Sequence, residues 1–278
     1  MPLIHYNRPI HVLVAVKGHL FDRTAFDTLF SEMDDVAATV VDHPAAARLM
    51  NPRGMEGFDA LVLYDMPGLD FSATSDRPAY VDPGDEVRAG LRALLEAGKG
   101  VVALHHAIAG WPAWPEYAEF LGGSFLYRPG ALRGVRKPDS GYRHDSRYSA
   151  LNVAPDHPVM QGIPASFPLT DELYLYEVFE DEVTPLLRSD YAFQEENFYS
   201  ALAAMSGRRN DNEGWSHPPG SNLIGWAKRA LRSPLVYLQP GDGPNVYADP
   251  VVRRLVHNAI HWVISDEASA WARGEVGQ

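Results

Sequence analysis

The sequence predicts an α/β fold built on a doubly wound, mostly parallel sheet. Three observations carry that expectation: short, largely apolar runs, amphipathic helical segments between them, and glycine or proline at the junctions.

The first run, His11–Val16, is β-branched and stops at Lys17-Gly18-His19, where glycine signals a turn. Asp22 can cap a helix reaching about Met33, with Phe26, Leu29 and Phe30 on one face. Ala37–Val41 and Ala60–Tyr64 have the length and apolarity of strands buried on both faces, which implies parallel pairing. Asp82-Pro83-Gly84-Asp85 reads as a helix start, Val87, Leu91, Leu94 and Leu95 as its buried stripe, and Gly98 as its end. Gly100–Leu104 is the next strand and runs straight into His105-His106.

After Trp111 the pattern turns irregular. Tyr117, Phe120 and Leu121 suggest a short helix, and the polar stretch from Gly122 to Ser146 an excursion inserted beside the sheet. Strand-like pieces return at Ser149–Ala154 and Leu173–Phe179. Gly207–Ser221, with Trp215 and His217, has the length of a functional lid. Leu223–Lys228 and Pro234–Leu238 form a hairpin, and Pro250–Val263 a final helix burying Leu255, Val256, Ala259, Ile260 and Val263. The expected organisation is one domain, with a core over 11–263 and a tail over 264–278 whose Trp271 could pack on another copy in a homo-oligomer.

Composition narrows the function classes. A chain of 278 residues with 46% apolar residues can bury a large core, roughly three quarters of its unfolded surface. The formal charge of -12, without a basic run, argues against nucleic acid as a partner. The absence of cysteine removes disulfides, thiolate metal sites and any thiol nucleophile. Met1–Arg8 carries no export pattern and no apolar run has membrane-spanning length, so a cytoplasmic protein with no membrane partner is expected.

In wound α/β sheets ligands bind beyond the carboxyl ends of the parallel strands. The exits here are Lys17-Gly18-His19, Asp65-Met66-Pro67, His105-His106 and Gln239-Pro240-Gly241-Asp242, which bring three histidines and two aspartates to one rim. His105 takes the position of a strand-to-helix elbow and is expected at the cleft floor. Imidazole there suits proton transfer or metal ligation rather than acyl transfer. His106 either contributes to the site or merely braces the turn. Three further clusters bear weighing: His144-Asp145, Asp156-His157-Pro158 and Asp171-Glu172-Leu173-Tyr174. By residue chemistry alone the second is a capped turn before proline, and the third is either a base or a solvated edge. Trp111, Trp114, Tyr117 and Trp215 could stack on a sugar ring or simply fill the core. No tight metal-ligand spacing is present, so no cofactor is called, a divalent metal being an open option.

The succession of motifs resembles one family. Phe58–Asp65, Gly98–Ala107, Trp114-Pro115-Glu116-Tyr117 with Leu121-Gly122-Gly123, Asp156–Pro164, Asp171–Tyr174, Leu235–Gly241 and Asn258–Trp262 stand in the order of the ThuA-like (trehalose utilisation) domain, over roughly His11 to Val263. That resemblance implies a flavodoxin-like sheet similar to class I glutamine amidotransferases, and a place in carbohydrate metabolism. His105 stands at the elbow where the amidotransferase cysteine would be, which excludes the glutaminase reaction. It also raises the value of His157, Asp171, Glu172 and Tyr174. Family members often carry glycine–histidine at the last strand exit, whereas this chain reads Gly241-Asp242.

The expected site is therefore His105, Glu172 and Asp171 as catalytic groups, with His19, Asp65, His106, Trp111, His157, Tyr174 and Asp242 contacting substrate. The leading function is acid/base chemistry on a sugar or keto-sugar, such as isomerisation or hydrolysis, with His105 and Glu172 exchanging protons. A non-catalytic sugar-binding module and a metal-dependent hydrolase using His105, His157 and an acid are the alternatives.

Overall fold

The structure, a computed structural model, describes residues 7–72 and 79–275; Met1–Tyr6, part of the stretch read for an export pattern, and the last three residues lie outside the described residues. Its main elements are β1 (Ile10–Lys17), α1 (Arg23–Ser31), β2 (Val36–Asp42), β3 (Ala60–Asp65), α2 (Asp85–Glu96), β4 (Gly100–Leu104), α3 (Pro115–Leu121), β5 (Gly141–Asn152), β6 (Ser166–Leu175), β7 (Thr184–Ser189), β8 (Leu223–Ala230), β9 (Ser233–Leu238), α4 (Pro250–Val263) and α5 (Asp266–Ala272).

One sheet runs in the order β6-β5-β7-β8-β9-β4-β3-β1-β2. The five strands β2, β1, β3, β4 and β9 are mutually parallel, in the flavodoxin-like order. From β9 onward the pairing turns antiparallel through β8, β7, β5 and β6. Alternation along β1 explains the two layers. Val12, Val14 and Val16 face one core with Phe26, Leu29 and Phe30 of α1 and Leu255, Val256 and Ile260 of α4. Leu13 and Ala15 face the other with Leu91, Leu94 and Leu95 of α2. Helices thus cover both faces, as the buried parallel strands require.

The local signals of the parallel half mostly hold. Asp22 caps α1 by accepting the Ala25 N–H at 2.9 Å; the structure adds a cap at Asp249 for α4, which the sequence reading did not single out. The helix expected from Asp82 starts at Asp85 instead, because Asp82 accepts the Gly84 N–H at 2.7 Å and closes a turn ahead of it. Gly100 is required by close packing: a Cβ there would lie 2.2 Å from the Val263 carbonyl oxygen, where α4 crosses β4.

Sequence reasoning underestimated the antiparallel half. The polar stretch taken as an excursion contains the first residues of β5, which extends eight residues ahead of the expected start at Ser149. β6 likewise begins at Ser166 and ends at Leu175, so Asp171 and Glu172 lie inside a strand rather than before one. Trp271 packs on Trp262 of its own chain, ring centroids 5.2 Å apart, with the Arg229 guanidinium 5.0 Å from its ring centroid. Among the described residues no helix is long and apolar enough to cross a membrane.

Candidate active site

The chain leaves β4 through a strained turn. His105 has φ 44°, in the left-handed region that few non-glycine residues adopt, and its surroundings hold it there. Those surroundings are three tyrosines, whose hydroxyls donate to the carbonyls of the turn: Tyr237 to His105 at 2.8 Å, Tyr117 to Ala107 at 3.2 Å and Tyr127 to Ala109 at 2.9 Å. The His105 Nδ1 lies 2.6 Å from the Gln239 carbonyl oxygen, which can only accept, so Nδ1 carries a proton. Nε2 faces the Tyr174 hydroxyl at 2.8 Å, Glu172 at 3.2 Å and Asp242 at 3.5 Å.

One expectation is corrected at this point. His105 is fully buried, because Tyr174 lies against its ring at 4.8 Å and the β5–β6 hairpin folds back over the strand ends. The side chains that reach the cleft are Glu172, Tyr174 and His144. His144 comes from a bulge in β5, where pairing with β6 shifts register between Arg143 and Ser146 and Asp145 takes φ 50°. Bulges re-aim side chains, and this one turns His144 Nδ1 to 2.9 Å from the second oxygen of Glu172. The result is a His105–Glu172–His144 chain through one carboxylate.

Electrostatics follow from that chain. Burial opposes charge on His105, but the Asp242 and Glu172 carboxylates outweigh it and hold the imidazole well above its ordinary range. Burial likewise pushes Glu172 up, and the hydrogen bonds from His105 and His144 overcome it, leaving the carboxyl well below its usual range. His144, half exposed, is raised by its bond to Glu172. Asp171 is pushed up to about 6 by burial, partly countered by His105. Its oxygens accept the Gly241 N–H at 2.7 Å and the Asp242 N–H at 3.1 Å, so Asp171 positions the loop that carries Asp242.

The cleft is a cavity of about 1140 Å³ at the carboxyl ends of the parallel strands. Glu172, Tyr174, His144, Tyr142, Tyr127 and Arg209 line one end, and Lys17, His19, His43 and Trp111 the other. A smaller polar hollow of about 240 Å³, between Asp171, Asp242 and Asn245, shares Glu172 and His144 with it. Asp65 and His106 sit beneath the second end, both buried. Asp65 meets His43 Nε2 at 2.5 Å, and His106 packs 5.0 Å from the His19 ring. Burial, with His105 and His19 nearby, holds His106 well below its ordinary range and therefore neutral. One buried polar atom on each of Asp65, His106 and His19 has no protein partner among the described residues.

The structure does not bring His157 into the cleft. Its Nδ1 accepts the Val159 N–H at 3.2 Å, its ring lies 4.8 Å from Trp262 of α4, and burial lowers it to about 4. It is the turn cap that its residue chemistry indicated. Trp114 and Tyr117 are core residues, and Trp215 donates to the Asp139 carbonyl. Sequence reasoning did not consider His43, and weighed the His144-Asp145 pair without placing it in the site. His43 directly follows β2, so the strand-exit rule would have found it; His144 depends on a bulge that has no sequence signal. His105, Glu172 and Asp242 offer ligand atoms within 4.8 Å of one another and could hold a divalent cation.

Comparison with known proteins agrees with this architecture. The wound sheet with its carboxyl-end cleft defines a class of α/β ligand-binding or catalytic domains. Within it, the profile of the family described as "ThuA: Trehalose utilisation" matches residues 12–263, and the chain belongs to that family. A putative ThuA-like protein from Parabacteroides merdae is similar with TM-score 0.64 at 12% identity, covering 92% of this chain and 90% of its own. One from Bacteroides uniformis gives 0.61 at 17% identity, covering 96% of each chain. A cytoplasmic protein from Salmonella typhimurium gives 0.52 at 10% identity, covering 91% of this chain and 99% of its own. At such identities the likeness is one of fold. No curated protein matches the chain.

Proposed function

We propose that this protein binds a sugar or keto-sugar in the large cavity and moves a proton on it, with His144 as the acid/base in contact with substrate. The observation that carries the reading is the His105–Glu172–His144 chain. Glu172 fixes Nδ1 of a half-exposed imidazole and leaves its other nitrogen for substrate, while buried His105 holds Glu172 ionised from behind. A carbon next to a sugar carbonyl is acidic enough for such a base, and neither thiol nor redox group is needed. Tyr127, Tyr142 and Trp111 offer faces on which a ring could stack, and Lys17 and Arg209 could neutralise an oxidised substituent. The family's description points to carbohydrate as the substrate class.

The test is a thermal-shift screen of mono-, di- and keto-saccharides, followed by NMR of hits in D2O. Deuterium should appear at the carbon beside the carbonyl, and His144→Gln should slow its uptake by about 10²–10⁴-fold. Saturable binding with no exchange and no product would establish a binding module instead. A metal-dependent hydrolase is the second reading, favoured by the convergence of His105, Glu172 and Asp242. Product formation that requires an added divalent ion and is lost in Asp242→Asn would establish it.

A further inference from the structure

A second titratable cluster lies at the other end of the sheet. Asp35 stands in the turn immediately before β2, at the amino-terminal side of the parallel strands, whereas the cleft opens at their carboxyl ends. Two histidines of α4, His257 and His261, lie one helical turn apart and approach it from 222 and 226 residues away in sequence. The Nε2 of His257 lies 2.8 Å from one oxygen of Asp35, and the Nε2 of His261 lies 2.8 Å from the other. The rings are 4.4 Å apart, and all three groups remain about one third to one half exposed.

We propose that Asp35, His257 and His261 form a binding site for a divalent transition-metal ion of the zinc class. Histidines at i and i+4 on one helix face, a ligand spacing passed over in reading the sequence, are a two-point chelate, and one carboxylate from a separate element completes a three-ligand set with room for water. The three ligand atoms lie within 4.8 Å of one another. Around a tetrahedral zinc, with ligands at about 2.0–2.1 Å, neighbouring ligand atoms stand about 3.3 Å apart, so small side-chain rotations suffice. Both supports are rigid. Asp35 is pinned by its carbonyl, which accepts the Ile10 N–H at 3.1 Å, and by Arg8, which donates to the Val36 carbonyl at 2.8 Å. α4 is anchored through Leu255, Val256, Ala259 and Ile260. Of the two arginines on α4, Arg253 pairs with Glu32 at 4.0 Å and Arg254 donates to the Gly162 carbonyl at 3.4 Å. An ion here ties α4 to the edge of the sheet, joining residues that stand 222 and 226 positions apart in the chain.

The experiment is calorimetric titration of the full chain with Zn²⁺ and with Mg²⁺ at pH 7.5, with Co²⁺ absorption spectra in parallel. Zn²⁺ should bind and raise the melting temperature, and Mg²⁺ should not, since imidazole ligands favour the softer ion. His257→Gln and His261→Gln should each weaken Zn²⁺ binding at least tenfold, while Glu172→Gln, in the cleft, should not. The Co²⁺ complex should show the intense visible bands of tetrahedral coordination and lose them in either histidine variant. Absence of Zn²⁺ uptake, or uptake retained in His257→Gln and His261→Gln but lost in Glu172→Gln, overturns the proposal. Should one histidine variant fail to fold, the other and the Co²⁺ spectrum of the unaltered chain still decide it.

Discussion

Replacing Glu172 by glutamine keeps the shape of the site and removes the charge that organises it. In the native protein one oxygen lies 3.2 Å from His105 and the other 2.9 Å from His144, and the carboxylate is buried. A hydrogen bond to a charged group contributes about 1.5–3 kcal/mol, so losing two gives about 3–6 kcal/mol before compensation. Asp242, 3.5 Å from His105, takes over part of that share, and the glutamine amide keeps some hydrogen bonding. The net destabilisation should be about 2–4 kcal/mol, a melting temperature lower by about 4–16 °C for a chain of this size. His144 should then titrate lower, since the Glu172 bond is the main cause of its elevation. Calorimetry measures the first effect and the pH dependence of the His144 ring resonances the second. A variant with unchanged melting temperature and an unshifted His144 would refute the three-residue chain, and the proposed function with it.

Further outcomes follow from other sites. His43→Ala should cost about 3–5 kcal/mol, because it strands the buried Asp65 carboxylate; the double variant with Asp65→Ala should recover part of the loss in a urea cycle. Gly100→Ala should lose about 3 kcal/mol in the same assay, since the new Cβ meets a helix carbonyl oxygen that parallel strands on both sides of β4 keep from yielding. His157 is held at about 4 by burial, below the 6.5 of a free imidazole. Its contribution is therefore fully present above about pH 6.5 and is lost as pH falls toward 4. The urea midpoint should fall over that window and His157→Gln should flatten the fall. Because His144 acts as a base only when neutral and is raised by Glu172, the exchange rate should drop as pH falls through its elevated value.

The parallel half of the fold was legible because its signals are local. Val12, Val14 and Val16 alternate with Leu13 and Ala15, Asp22 caps α1, and the β4 run ends at the histidine pair. The sequence by itself therefore determined the wound sheet, the rim where ionisable residues gather, and the exclusion of thiol chemistry. What it could not determine depends on contacts between residues far apart in the chain. The start of β5 looks polar because Arg143, His144, Asp145 and Arg147 interrupt it, and only pairing with β6 makes it a strand. The bulge at His144, the fold-back that buries His105 under Tyr174, and the meeting of Asp35 with His257 and His261 all come from tertiary packing. Side-chain identity records which groups can ionise, but solvent exposure and partner distance decide which of them can act, and both are properties of the assembled fold.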